Sequence, residues 1–352
     1  MTHVMVVPAD RGGCGYYRLI WPGQAVSSVR LDWTISIVPP EDVQAGFRNG
    51  EFIGVKGFPD PLPDLLVMQR VGTPGQYAVL KWAREQGIKT VLDFDDAMWC
   101  IDRGNAAWRS WNMKNPYEQH WRICDEAAKI ADLVTVTTDA LGRRYGRFHH
   151  RSEVLPNCVP YAATEIPGHD QNEAFTAGWA GFTKTHPGDC QVSRPAAQSV
   201  LEAGGALRVI ADAPGAAAEW AVDPACVDSV PPQPLGAQYY KEISGLDLML
   251  VGLQETPFNR AKSTLKVLEA AAMGVPSIAP DNPPHRALAR TGFPVTLASS
   301  PAEWAEAALQ HLEESEADRV LRRQMVWAAT QEKWTIEGNA ERWARAWERA
   351  MR

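Results

Sequence analysis

The sequence predicts an α/β protein of two doubly wound domains whose parallel sheets face a shared cleft. Three observations predict it. Short, continuously apolar runs alternate with helical stretches, the alternation stops in a segment rich in Pro, Asn, Gly and Ala over 156–172, and it then restarts. Continuous apolarity suits parallel strands, because helices cover both faces of the sheet. Regular strand–helix alternation is the pattern of a doubly wound sheet.

Taken in order, strands are expected at 4–7, 33–38, 65–69, 90–94 and 133–137, with helices at 76–86, ahead of Gly87, and at 116–131. Beyond the linker, strands are expected at 175–179, 207–210, 246–251, 276–279 and 294–297, followed by helices at 302–313 and 318–333. Trp343 and Trp347 stand four apart in the last segment and mark one apolar stripe on a helix. The expected units are a first Rossmann-like domain at 1–165, a second at 173–330, and a final helix at 335–352 packing back toward the first domain. Two such sheets place ligands where loops leave the carboxyl ends of the strands.

Bulk properties narrow the function. A chain of 352 residues, 45% hydrophobic and 22% charged, is long enough for two cores and has the composition of a globular protein. Its net charge of −7 provides no overall basic field for nucleic acid, although residues up to 165 are nearly neutral and the acidic excess lies beyond. The six cysteines are scattered with no CxxC pair, which argues against a zinc site or a disulfide scaffold. No apolar run is long enough for a membrane span. MTHVMVVPADRGG lacks the basic start and long apolar core of a signal peptide, so the cytoplasm is the expected location.

The most informative stretch is FNRAKSTLKVLEAAAMGVPSIA, 258–279. It reads as a helix starting near Lys262, capped by Ser263 or Asn259, with Leu265, Leu268 and Ala272 facing the sheet. Gly274 stops the helix and Pro276 opens the next strand. Free amides at a helix start suit a phosphate or diphosphate, and Lys262 and Lys266 add full charges beside them. Glu269 lies one turn further on, within reach of a hydroxyl next to that phosphate. A diphosphate flanked by hydroxyls describes a nucleotide sugar. An ordinary helix with solvated lysines is the plainer alternative.

The wider segment LDLMLVGLQETPFNRAKSTLKVLEAAAMGVPSIA resembles the nucleotide-sugar region of retaining GT-B glycosyltransferases. The resemblance implies the GT-B fold and carries several roles. Glu269 matches the ribose-binding glutamate, and the Ser263–Thr264–Leu265 turn matches the backbone that holds the diphosphate. The position eight before Glu269, where the family has a second glutamate, is Ala261, which leaves Glu255 or Asn259 to replace it. TAGWAGFTKTHPGD, 176–189, resembles the first strand and loop of the same domain. There Gly181 would let the backbone approach the ligand, Lys184 would face the phosphates, and His186 and Asp189 are further candidates. VLPNCVP, 154–160, resembles the segment closing the first domain, with Asn157 shaping a turn. The implied cosubstrate is a UDP-sugar of the UDP-glucose type, with no metal required and retention of stereochemistry.

The other side of the cleft is expected to hold the acceptor. RGGCGYYRLIWPG, 11–23, supplies Gly13 and Gly15 for close backbone approach, but has Arg18 where a dinucleotide-binding loop needs its third glycine. Tyr16, Tyr17 and Arg18 would line the cleft. VLDFDDAMW, 91–99, ends a strand in carboxylates, and Asp95 and Asp96 would either orient an acceptor hydroxyl or act as base. A metal held by the DxD pattern and a helix cap are the other readings. Cations interleave with aromatics over 102–122, notably Trp108, Arg109 and Trp111, together with Tyr117 and Trp121. RRYGRFHHR, 143–151, adds four arginines. Such surfaces suit bases and phosphates, a sugar acceptor, or a packed lid. The GGxGYYR, DFDD and Lys-Ser-x-x-Lys elements together resemble glycosyltransferases of actinobacterial phages. This implies hydroxymethylated pyrimidines in double-stranded DNA as a possible acceptor. A saccharide or small-molecule acceptor, an epimerase of the same fold and a non-catalytic nucleotide binder are the alternatives.

Overall fold

The computed structural model describes residues 1–114, 118–148, 151–160 and 174–352. Tyr117, His149, His150 and most of the linker lie outside the described residues. The first domain carries β1 (Thr2–Val7), β2 (Trp33–Ile37), a hairpin of β3 (Gln44–Arg48) and β4 (Glu51–Lys56), then β5 (Leu65–Gln69), β6 (Lys89–Phe94), β7 (Leu133–Val136) and β8 (Ser152–Val154). The second carries β9 (Thr176–Gly181), β10 (Ala206–Ala211), β11 (Val227–Val230), β12 (Leu248–Leu250), β13 (Ser277–Pro280) and β14 (Thr296–Ala298).

The sheets have the orders β2-β1-β5-β6-β7-β8 and β11-β10-β9-β12-β13-β14, and every pairing within them is parallel. The interior strands are buried on both faces: β5 is inaccessible at nearly every residue and β12 throughout. In both sheets the direction of winding reverses beside the first strand, between β1 and β5 and between β9 and β12. Such reversals open a crevice at the carboxyl ends of the strands. The loops after β1, β9 and β12 leave from these crevices, and they carry the glycine loop, the 182–188 loop and the 251–264 loop.

The two domains interlock. The chain leaves the first domain through 155–160, and Val159 pairs with Thr335 on the way back. The helix Ala340–Met351 then buries Trp343 and Trp347 against Leu19, Val26, Val91 and Leu133 of the first domain. Fully burying a large apolar side chain stabilises by about 1.5–3 kcal/mol, so these two indoles belong to the core of that domain. Ion pairs from Arg30 to Glu341 and Glu348 seat the helix from outside.

Candidate functional site

A cavity of about 630 Å³ lies between the domains. The 262–266 segment forms one wall and the glycine loop the other. Its start differs from the sequence reading. The helix runs Leu265–Ala272, a 3₁₀ turn covers Asn259–Ala261, and Lys262, with extended backbone, and Ser263 form a strap ahead of the helix. Thr264 occupies the cap position without a side-chain cap bond, so neither Ser263 nor Asn259 caps the helix. Among the described residues, the amides of Ser263, Thr264, Leu265 and Lys266 have no protein acceptor, as expected of a first helical turn. Leu265 is half-buried, packed against the core of the second domain and also lining the cavity.

Two lysines flank those amides. Lys262 Nζ lies 3.9 Å from Asp96 across the domain seam and over the Phe258 ring. Lys266 donates to the Ala180 carbonyl and lies over the Trp179 ring. Burial, reinforced by the charge of Lys262, lowers its pKa against the opposing pull of Glu269. Gly181 makes room for this ammonium. A Cβ there would stand 3.2 Å from Lys266 Nζ and 2.8 Å from the Trp179 ring, at φ 153°. Gly181 therefore shapes the site through Lys266 and does not itself line the cavity. Lys184 is exposed outside it, beside Asp212.

Glu269 is buried at the far end. Tyr17 of the first domain donates to Oε1 at 2.6 Å, and Tyr239 donates to Oε2 at 3.0 Å. The Tyr17 and Tyr240 hydroxyls lie 2.6 Å apart. Burial raises the Glu269 pKa, with Lys266 and the tyrosine hydrogen bonds opposing. Burial and the neighbouring Glu269 keep the tyrosines protonated, their pKa values well above the usual phenol value. Sequence reasoning did not assign Tyr239 or Tyr240, and the bare YYKE pattern carries no signal for them.

The 182–188 loop brings His186 to the cavity wall. Its Nδ1 lies 3.0 Å from the buried carboxylate of Asp189, and burial with the charges of Lys262 and Lys266 lowers its pKa to about 4. With Nδ1–H assigned to the aspartate, neutral Nε2 is left as an acceptor. The other Asp189 oxygen accepts from Gln254 N and Asn259 Nδ2. Asn259 is thus committed to holding the loop and lies off the cavity wall. Glu255 pairs with Arg260 on the surface. Neither residue lines the cavity.

On the first-domain side, Gly13 and Tyr16 line the cavity. Gly15 does not: a Cβ on it would collide with the Asp10 carbonyl, so its role is to close the loop. The Asp10 carboxylate holds the amides of Gly12 and Gly15. Arg18 reaches the cavity edge but is 1% exposed. It binds Asp93 through Nε and Nη2, and donates to the Leu155 carbonyl and Asn157. Its guanidinium also lies 4.8 Å from the Trp343 ring centre. That commitment makes it a structural keystone, in place of the expected acceptor contact.

Asp95 and Asp96 both reach the cavity, in different states. Arg70 holds both oxygens of Asp95 at 2.5 Å. Burial alone would raise the Asp95 pKa, but Arg70 beside it holds it below the usual carboxylate range. Asp96 is the freer carboxylate, between Arg70 at 3.7 Å and Lys262. Arg70 was not singled out in the sequence, where no motif surrounds it. Among the described residues no group of three or more His, Cys, Asp or Glu side chains is placed to hold a metal ion.

Trp108, Arg109 and Trp111 lie off the cavity wall. Trp111 packs where a Cβ on Gly72 would be, and Arg103 covers Trp108. Their segment clasps the second domain: Asn105 Nδ2 donates to the Thr185 carbonyl, and Thr256 donates to Asp102. Tertiary packing claimed these aromatics. The Asn157–Ser263 hydrogen bond, at 2.9 Å, stands between the main cavity and a second one of about 420 Å³ rimmed by Arg143, Arg260 and Arg290.

The sequence matches no protein-family model and no curated protein sequence. Solved structures match over the whole chain. Sucrose-phosphate synthase from Thermosynechococcus elongatus aligns with a TM-score of 0.67 at 14% identity, over 99% of this chain and 98% of that one. Anabaena HepE in complex with UDP and glucose aligns with a TM-score of 0.67 at 11% identity, over 98% and 99%. A glycosyltransferase from Rickettsia africae aligns with a TM-score of 0.65 at 9% identity, over 100% and 99%. What is shared at such identities is architecture, and the chain has the GT-B fold.

Proposed function

We propose that the protein is a glycosyltransferase that moves a hexose from a nucleoside-diphosphate sugar, of the UDP-glucose type, to an acceptor hydroxyl. The carrying observation is the 263–266 turn, whose residues line the inter-domain cavity beside Lys262 and whose amides have no protein acceptor among the described residues. In this reading the amides and both lysines receive the diphosphate and stabilise the charge that grows on it as the glycosidic bond breaks. Glu269 takes the ribose hydroxyls. Neutral His186 accepts a hydrogen bond from a hydroxyl of the transferred sugar.

Asp96 orients the acceptor hydroxyl. Asp95, with both oxygens on Arg70, is the weaker base of the two. The fixed cations do the work otherwise given to a metal, so no divalent ion is required. Retention of anomeric configuration is the expected outcome, and the anomeric proton of the product reports it.

A saccharide or small-molecule acceptor is favoured over DNA, because Trp108, Arg109 and Trp111 lie outside the cavity. The arginines rimming the second cavity are what remains in favour of hydroxymethylated DNA. The function is tested by a thermal-shift series with UDP, GDP, ADP and their sugars, with and without EDTA. A ligand at 100 times its Kd stabilises by about 2.7 kcal/mol, a shift of several degrees. UDP and UDP-glucose should give it in either buffer. No shift with any nucleotide would end the proposal, and a shift abolished by EDTA would end the metal-free part. Release of free UDP from UDP-glucose with the acceptors supplied separately would then choose among them, and an altered nucleotide sugar formed without acceptor would identify an epimerase.

A further inference from the structure

Tyr17 is the one residue of the first domain that, among the described residues, donates to Glu269. The contact joins positions 252 apart in the chain and is buried on both sides, Tyr17 being 2% and Glu269 6% exposed. Tyr240 and Tyr17 have hydroxyls in contact, so with Tyr17 donating to Glu269 the chain runs Tyr240 to Tyr17 to Glu269. Tyr239 holds the second oxygen from within the second domain. Both oxygens that a ribose diol would use therefore already hold phenol protons, and little carboxylate surface remains open.

The Tyr17 backbone has an unusual setting. Tyr16–Ile20 is a π-helical segment, wedged between the short helix Gly13–Gly15 and the helix Trp21–Val29. Such wide turns are uncommon and concentrate at functional sites. The next residue, Arg18, is pinned by Asp93, Leu155 and Asn157. Arg18 is thereby fixed within the first domain, directly after Tyr17. Tyr239 and Tyr240 belong to the same domain as Glu269, whereas Tyr17 reaches it from the first domain and packs into the core of the second beside Tyr240.

We propose that Tyr17 is a positioning residue whose hydroxyl holds the place on Glu269 that a ribose hydroxyl takes, and is exchanged for that hydroxyl when a nucleotide binds. The exchange links recognition of the ribose to release of the glycine loop that faces the diphosphate. The inference rests on the assignment of Glu269 to the ribose. A nucleotide without ribose hydroxyls leaves Tyr17 in place and gains nothing from Glu269.

The test is calorimetric titration of the full chain, wild type and Tyr17→Phe, with UDP and with 2′,3′-dideoxy-UDP. Removing the competing phenol should tighten UDP about ten-fold, the scale of one hydrogen bond to a charged group, and leave the dideoxy nucleotide within about two-fold. Equal changes for both nucleotides, or weaker UDP binding by the variant, would overturn the exchange while leaving the donor site standing. Failure of wild type to bind UDP, GDP or ADP would overturn the site and the exchange together. Hydrogen exchange on the wild-type protein supplies the same decision without a variant. Residues 13–17 should exchange faster with UDP bound than with the dideoxy nucleotide, and equal protection would refute the proposal.

Discussion

Replacing Lys266 by Met separates binding of the diphosphate from stability. The ammonium is half-buried, with its charge opposed by burial and by Lys262 and supported by Glu269. A phosphate oxygen about 4 Å away, at an effective dielectric near 20, would interact with it by about 4 kcal/mol. Competition from Glu269 and entering water brings this to roughly 3 kcal/mol, somewhat over a hundred-fold in affinity. On the stability side, Met fills a similar volume. It loses the bond to the Ala180 carbonyl and the contact with Trp179, worth about 1–2 kcal/mol together, and relieves the cost of a buried charge. The expected result is UDP affinity reduced about a hundred-fold, with unfolding free energy within about 1 kcal/mol of wild type. Titration calorimetry and urea unfolding read the two quantities independently. UDP affinity within two-fold of wild type would refute the assignment of the 263–266 turn to a diphosphate.

Arg18→Met should destabilise by about 3–5 kcal/mol, because it strands the fully buried Asp93 with Thr135 as its remaining side-chain partner. Adding Asp93→Asn should recover part of the loss, and a urea midpoint unchanged in the single variant would contradict the keystone role. Gly181→Ala should lower both melting temperature and UDP affinity, since its Cβ meets the Trp179 ring and the Lys266 ammonium. Unchanged calorimetry would mean the strand end has slack. Burial lowers the His285 pKa to about 4. The unfolded chain, with a pKa near 6.5, binds this proton more readily, so the stability contribution is full above pH 6.5 and falls as pH drops toward 4. It amounts to about 3 kcal/mol at most. Urea unfolding at pH 7.5 and 5.0 checks it, and His285→Gln should reduce the difference, His186 and His311 with similarly lowered pKa values supplying the rest.

The strands covered on both faces were legible because burial there leaves a continuous apolar run. β5 lies where expected and β1 and β6 extend the expected cores by one or two residues. The edge strands β8 and β11 were missed, since each is short and only partly covered. The β3–β4 hairpin was also missed, although Asn49 and Gly50, both at positive φ, make the turn that an Asn-Gly pair signals. The 262–269 region was readable because its chemistry is local to one strap and one helix. Tyr17 with Glu269 and Arg70 with Asp95 come together through the fold, and nothing near them in the sequence names the partner. Trp108 and Trp111 misled because an aromatic that stacks on a base and one that wedges against a glycine look alike in sequence.

The helix Ala340–Met351 makes the first domain discontinuous, with the second domain inserted into it as a single long excursion. The two crossings lie side by side, bridged at Val159 and Thr335. Trimming the last dozen residues would therefore open the hydrophobic interior at the opposite end of the chain. Synthesis must also reach Ala340–Met351 before the first domain can close its core.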